Sequence, residues 1–136
     1  MPSFNFFSDA GLTTPATLLD MAASVDGSTG AVTRTVYFGS ASAGRVLRAA
    51  SDPGVDEIVL SIADSAPLAG TPVGDVTLAL DPTFSGRTAG SALSMGVQIN
   101  SGVANAVPIY IKWHDSTGTL GVNTDVSLVM VETEET

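Results

Sequence analysis

Val107-Pro108-Ile109-Tyr110-Ile111-Lys112-Trp113-His114 is the stretch that decides how this chain is read. Val107, Ile109, Ile111 and Trp113 occupy one set of alternate positions, and Tyr110, Lys112 and His114 occupy the other. Successive side chains of a strand point to opposite sides of its sheet, so a period of two builds one dry face and one wet face. The segment is therefore a strand whose inward set includes Trp113 as a core plug. Tyr110 falls on the outward set, where a partner can reach it.

The same alternation recurs on both sides of this run. Val32 to Phe38 forms one strand, and residues 55–63 form another in which Ile58, Leu60 and Ile62 share a face. Residues 76–81 bury Val76, Leu78 and Leu80; Leu93, Met95, Val97 and Ile99 make a further strand, and residues 126–132 the last. Thr14-Pro15 has the chemistry of a helix start. Against it, Leu19, Met21, Ala23 and Val25 alternate with Asp20, Ala22 and Ser24, so residues 17–25 are read as a strand. Turn-forming clusters separate the strands at residues 26–30, 67–74, 82–90, 100–105 and 115–123. Residues 39–54, rich in Gly, Ala and Ser, read as a long loop or one short helical turn.

About seven or eight short strands, turn signals between them and no long helix predict an all-β fold. The expected architecture is an antiparallel β-sandwich, immunoglobulin-like or jelly-roll-like, with a closed barrel as the runner-up. No repeat of fixed period is present, which argues against a solenoid or propeller. Residues 1–16 read as an N-terminal arm or edge strand and residues 17–136 as a single sandwich domain. Three of the five Phe residues, Phe4, Phe6 and Phe7, open the chain. They either tuck an edge strand onto the core or dock on a neighbouring subunit.

Composition narrows the function. A chain of 136 residues has room for one domain with a real core. It has no Cys, so disulfides and thiolate metal sites are impossible. Only 14% of residues are charged, against 44% hydrophobic, so Ser, Thr, Gly and Asn must finish the surface. That suits a protein sitting against neighbours. Fourteen acidic residues against five basic ones give a net charge of −9. Such a field repels phosphate backbones and argues against direct nucleic-acid binding. No apolar run is long enough to cross a bilayer, and Met1-Pro2-Ser3-Phe4-Asn5-Phe6-Phe7 lacks the basic and apolar regions of a signal peptide. Synthesis and folding in the cytoplasm are the expectation.

Catalytic machinery is hard to assemble from these residues. His114 is the single histidine, beside Asp115, and no Gly-x-Ser-x-Gly elbow supplies a nucleophile. It reads as a surface residue at a strand end. Asp52, Asp56 and Glu57 lie close together, and Asp115, Asp125 and Glu132 are scattered later, without the EF-hand pattern. Turn chemistry explains them, since Asp bonds its own backbone in loops. No cofactor is assigned; loop carboxylates with backbone carbonyls are the one place offering donors to Ca²⁺. Gly70-Thr71-Pro72-Val73-Gly74 and Gly86-Arg87-Thr88-Ala89-Gly90 lead into strands, not helices, and read as turns rather than phosphate cradles. The tail Glu132-Thr133-Glu134-Glu135-Thr136 reads as a solvated acidic run. No enzyme is expected. The partner-contact candidates are Phe4, Phe6, Phe7, Tyr37, Arg45, Arg48 and Tyr110.

Four segments carry a resemblance: residues 7–15 (Phe7-Ser8-Asp9-Ala10-Gly11-Leu12-Thr13-Thr14-Pro15), Tyr37-Phe38-Gly39-Ser40 with Gly44, Asp52-Pro53-Gly54-Val55-Asp56, and residues 102–108. In this spread of turns and strands the chain resembles small virion structural proteins of tailed bacteriophages. The resemblance implies a non-enzymatic capsid decoration (cement) protein that binds the major capsid protein, or a tail or baseplate accessory protein. It also implies a location in the virion and a homo-oligomer, with a trimer at three-fold capsid positions as one form. It carries no functional residues over. A carbohydrate-binding or adhesin-like sandwich, gripping a sugar with exposed aromatics and loop carboxylates, is the reading from another class.

Overall fold

The computed structural model describes residues 3–17, 21, 30–65, 72–114 and 126–136. The deciding stretch is the strand β8 (Val107–Trp113), an interior member of a four-stranded antiparallel sheet. Its neighbours are β2 (Val32–Gly39) and β5 (Val76–Ala79), and β1 (Asn5–Phe7) completes the order β1-β2-β8-β5. The register places Phe38 opposite Val107, Val36 opposite Ile109, and Leu78 opposite Ile111. The apolar alternates of neighbouring strands thus fall on one face, as a period of two requires.

The other six strands make the second layer. They are β3 (Val46–Ala49), β4 (Val59–Asp64), β6 (Leu93–Ser94), β7 (Ile99–Asn100), β9 (Val126–Met130) and β10 (Thr133–Glu135). They form two three-stranded sheets, β10-β3-β7 and β6-β4-β9. Linking bonds nearly merge the two. Val131 N donates to Val59 O at 3.0 Å and Ala50 N to Glu132 O at 2.9 Å along one side. Along the other, Met95 N donates to Ile58 O and Ile58 N to Gly96 O, both at 2.8 Å. The layer is therefore three ribbons whose middle one, β3 then β4, is interrupted by the excursion 50–58.

The layers meet over one core. Val36, Phe38, Leu78, Ile109 and Ile111 come from the four-stranded sheet, and Leu47, Leu60, Leu93 and Ile99 from the other side. Each such side chain fully removed from water contributes about 1.5–3 kcal/mol. The result is an all-β antiparallel sandwich, and none of its sheets closes into a barrel among the described residues.

Several boundaries differ from the sequence expectation. Residues 39–54 contain a strand, β3, because Leu47 and Ala49 turn inward while Val46 and Arg48 face out. The strand expected at Val55 begins only at Val59; Asp52 O accepts both Val55 N and Asp56 N, which curls residues 52–56 into a turn. Leu80 is exposed rather than buried, whereas all four residues of β5 are buried. The strand expected through Leu93, Met95, Val97 and Ile99 divides into β6 and β7. Gly96, at φ 87°, breaks it and leaves Val97 exposed. The strand expected over 17–25 lies outside the described residues save Thr17 and Met21, as do most of the turns expected at 26–30, 67–74 and 115–123.

Candidate functional site

The outward alternates of the four-stranded sheet form its second face. Phe7, Tyr37 and Pro108 stand in one row across β1, β2 and β8; Thr35, Tyr110 and Ala79 stand in the next, and Thr33, Lys112 and Thr77 in a third. Phe7, Tyr37, Pro108 and Tyr110 are all half-buried, so their rings keep accessible surface. No carboxylate occupies a strand position on this face. Lys112 lays its Nζ 4.5 Å from the centroid of the Phe84 ring. A cation held over an aromatic face is attracted by the ring quadrupole.

Phe84 is held there by a hydrogen-bonded loop. Its φ of 56° lies in the left-handed region, which disfavours a residue with a Cβ. Asp81 fixes the start by accepting from Thr83 N at 2.9 Å and from the Thr83 hydroxyl, and Phe84 N donates to Asp81 O at 3.3 Å. The Thr83 hydroxyl, then its amide, holds the Asp81 carboxyl below the ordinary carboxylate range. A strained residue fixed by its surroundings, on a partly exposed face, marks this corner as a place to look for contact.

Both edges of the sheet are closed. On β1, Phe6 N donates to the Asn5 side chain at 2.9 Å, Phe6 O accepts from Ala16 N at 2.9 Å, and Phe7 bridges Pro15. On β5, the outward carbonyls of Val76 and Leu78 accept from Gly90 N and Arg87 Nε, each at 2.7 Å. Unpaired edges invite another chain to add as a strand, and these are blunted.

The chain ends are clasped together. Ser3 N and the Ser3 hydroxyl donate to Glu135 Oε1 at 2.8 and 2.6 Å, and Arg45 donates to Glu135 Oε2 at 3.1 Å. The wholly buried Ser40 donates its hydroxyl to Ser3 Oγ at 2.6 Å. The Ser3 hydroxyl first, then its amide and Arg45, hold the Glu135 carboxyl down at about 2. The acidic tail is thus not a solvated run: Thr133–Glu135 pairs with β3, and Glu135 anchors the N-terminal segment. Regular alternation over only three residues left that strand unread.

The expected contact residues divide among these features. Phe4 is buried and stacks toward Phe38 with ring centroids 6.1 Å apart; Phe6 lies 5.0 Å from the same ring. Phe7, Tyr37 and Tyr110 share the outer face. Arg45 is engaged with Glu135, and Arg48 donates to Gln98 Oε1 at 2.9 and 3.1 Å. The last two hold their own chain together. Phe84, Arg87 and Glu135 were not among the expected residues; a lone Arg in a Gly-rich turn beside a strand is the signal that would have found Arg87.

Other expectations also find their places. Trp113 packs against the core from the inner face, only half-buried, and its buried Nε1 finds no acceptor among the described residues. His114 is exposed at the end of β8, its amide donating to Asp75 O at 2.9 Å. Asp115 and Asp125 lie outside the described residues. Asp56 accepts from the Ser51 hydroxyl at 2.6 Å, and Asp9 accepts from Thr13 and Thr14 amides, which is turn chemistry. No three acidic or histidine side chains gather into a metal-binding group among the described residues. No helix among them is long and apolar enough to cross a membrane. No family model, curated protein or solved structure matches this chain.

Proposed function

We propose that this chain is a non-enzymatic structural protein of a tailed-bacteriophage virion, a decoration or cement protein that stabilises the head by binding the major capsid protein. The observation that carries the reading is the half-exposed aromatic face of Phe7, Tyr37, Pro108 and Tyr110 on a sheet whose edges are closed. With the edges sealed, contact runs through side chains of the face rather than by strand addition. Aromatic residues are enriched at the centres of protein interfaces, where they remove much area from water at low entropic cost.

The remaining features support the same role. A cement protein must be stiff, and here both ends of the chain are fastened to the body through Ser3, Arg45 and Glu135. It binds in many copies, so a modest contact per subunit is multiplied by avidity. A net charge of −9 keeps the free protein soluble and away from DNA before assembly. Synthesis in the host cytoplasm followed by residence on the particle is the matching itinerary.

Cryo-electron microscopy of purified particles tests this. Density for the sandwich on the shell supports the reading. Density on the tail or baseplate reassigns the chain as an accessory protein there, and absence from the particle removes the proposal. Tyr37 and Tyr110, on adjacent strands of one outer face, also suit a sugar-binding sandwich. A glycan array with and without chelator separates that second reading, and uniform silence eliminates it.

A further inference from the structure

We infer that copies of this chain associate head to tail, the turn Asp52–Glu57 of one copy seating on the aromatic outer face of the four-stranded sheet of the next. The turn is a built projection. Val55 at its tip is 67% exposed, against 49% for Val103, the next most exposed large apolar residue described. Asp52 O accepts Val55 N at 3.0 Å and Asp56 N at 2.9 Å, Gly54 takes φ 82°, and the Ser51 hydroxyl donates to Asp56. The chain thus holds an apolar knob in place, flanked by the exposed Asp52, Asp56 and Glu57.

The outer face offers the complement. It presents Phe7, Tyr37 and Tyr110 to an apolar knob and has no carboxylate at its strand positions. It also carries Lys112, and that lysine is distinctive. Arg34 donates to Thr33 O, Arg45 to Glu135, Arg48 to Gln98, and Arg87 to the Leu78 and Ala92 carbonyls. Among the described residues Lys112 alone of the five basic side chains meets a ring and no oxygen. An ammonium beside aromatic surface receives an apolar residue bracketed by carboxylates, and a second copy of a chain with 14 acidic and 5 basic residues supplies one.

Geometry fixes the type of assembly. The turn joins β3 to β4 in the second layer, with Gly54 lying over the Arg48 side chain, which points away from the core. The receiving face is the outside of the other layer. Knob and face lie on opposite sides of the sandwich, so the contact is heterologous and yields a ring if the rotation closes and a filament if it does not. The seat is the same aromatic face on which the virion reading rests, so a second copy and a capsid subunit are competing occupants of it. The tests below use the purified chain alone, and their failure leaves the virion test untouched.

The absence of Cys makes a decisive test simple. Val55→Cys and Thr35→Cys variants, each with wild-type circular dichroism, are oxidised separately and as an equal mixture. The expected result is a cross-linked dimer in the mixture at several times its yield in either variant alone. Sedimentation should find wild-type oligomers, and Lys112→Glu should weaken association about tenfold, as reversing an interfacial charge does. A wild-type chain monomeric throughout the accessible concentration range would overturn the inference. So would Val55→Cys cross-linking only to itself, or oligomers unchanged by Lys112→Glu whose mixture fails to cross-link.

Discussion

Arg87 closes the open side of β5 by donating from Nε to the carbonyl oxygen of Leu78 at 2.7 Å, while its Nη2 reaches the Ala92 carbonyl at 2.6 Å. One guanidinium therefore ties the 80–92 loop to the strand it covers and occupies an acceptor that an incoming strand would need. Arg87→Ala removes both bonds. A hydrogen bond to a charged group contributes about 1.5–3 kcal/mol, and the half-buried position puts the loss at the lower end. The larger expected effect is on association: the variant should form β-rich aggregates at concentrations where wild type stays clear, as light scattering and thioflavin fluorescence would report. Equal solubility of the two proteins would mean the edge is protected by the loop backbone alone.

Gly39 sits where no side chain fits. A Cβ there would lie 3.1 Å from Leu12 Cδ1 and 3.3 Å from the Ala106 Cα, and the latter is backbone that cannot swing aside. Leu12 itself is buried in a left-handed conformation, φ 55°, within the turn that Asp9 caps. Gly39→Ala should cost roughly 1–3 kcal/mol, the range for overpacked cores. Urea unfolding measures it, and a variant as stable as wild type would show that the 9–14 turn yields without cost.

Glu135 sets an acid limb. Its folded carboxyl is held at about 2, below its ordinary 4.5, by the Ser3 hydroxyl, the Ser3 amide and Arg45. A group depressed in the folded state stabilises fully above its unfolded pKa, and the contribution is lost as pH falls from about 4.5 toward 2. Asp9 and Asp81, lowered by Thr14 and Thr83, act in the same direction. Glu135→Gln should therefore lose stability at pH 7 and show a shallower further decline below pH 4.5 than wild type. Parallel curves of urea midpoint against pH would contradict this.

Trp113 combines a useful ring with an unsatisfied donor. Its Nε1 is buried without an acceptor among the described residues, a state that costs about 1–3 kcal/mol for an amide-like group. Trp113→Phe removes the donor along with some packing, so the two effects offset and stability should stay within about 1 kcal/mol of wild type. Trp113→Ala, which keeps neither, should lose about 3 kcal/mol. A large loss in the Phe variant would reveal a hydrogen bond made in solution.

The sequence made the sandwich legible where alternation was long. Val107 to Trp113 and Val32 to Phe38 are strands within a residue of their expected bounds, and both tyrosines face outward as their positions imply. Short strands carried no such signal. β3 is four residues inside a Gly- and Ala-rich stretch, and β10 is three residues of Thr and Glu; both exist because they complete one another's hydrogen bonds. That is tertiary pairing, which period alone cannot report. The candidate face was largely legible: alternation puts Tyr37, Tyr110 and Lys112 on it and Phe7 opens the chain, but Phe84 joins them only through a loop conformation set by Asp81 and Arg87. Arg45 and Arg48 looked available for a partner because their acceptors, Glu135 and Gln98, lie 90 and 50 residues away in sequence.

The proposed role as a building piece of a virus particle stands or falls on peptide mass spectrometry of gradient-purified virions. Peptides of this chain should persist through purification, in a copy number comparable to that of the capsid shell protein. Virions that contain none of it, while the chain stays in the soluble lysate, would rule that role out.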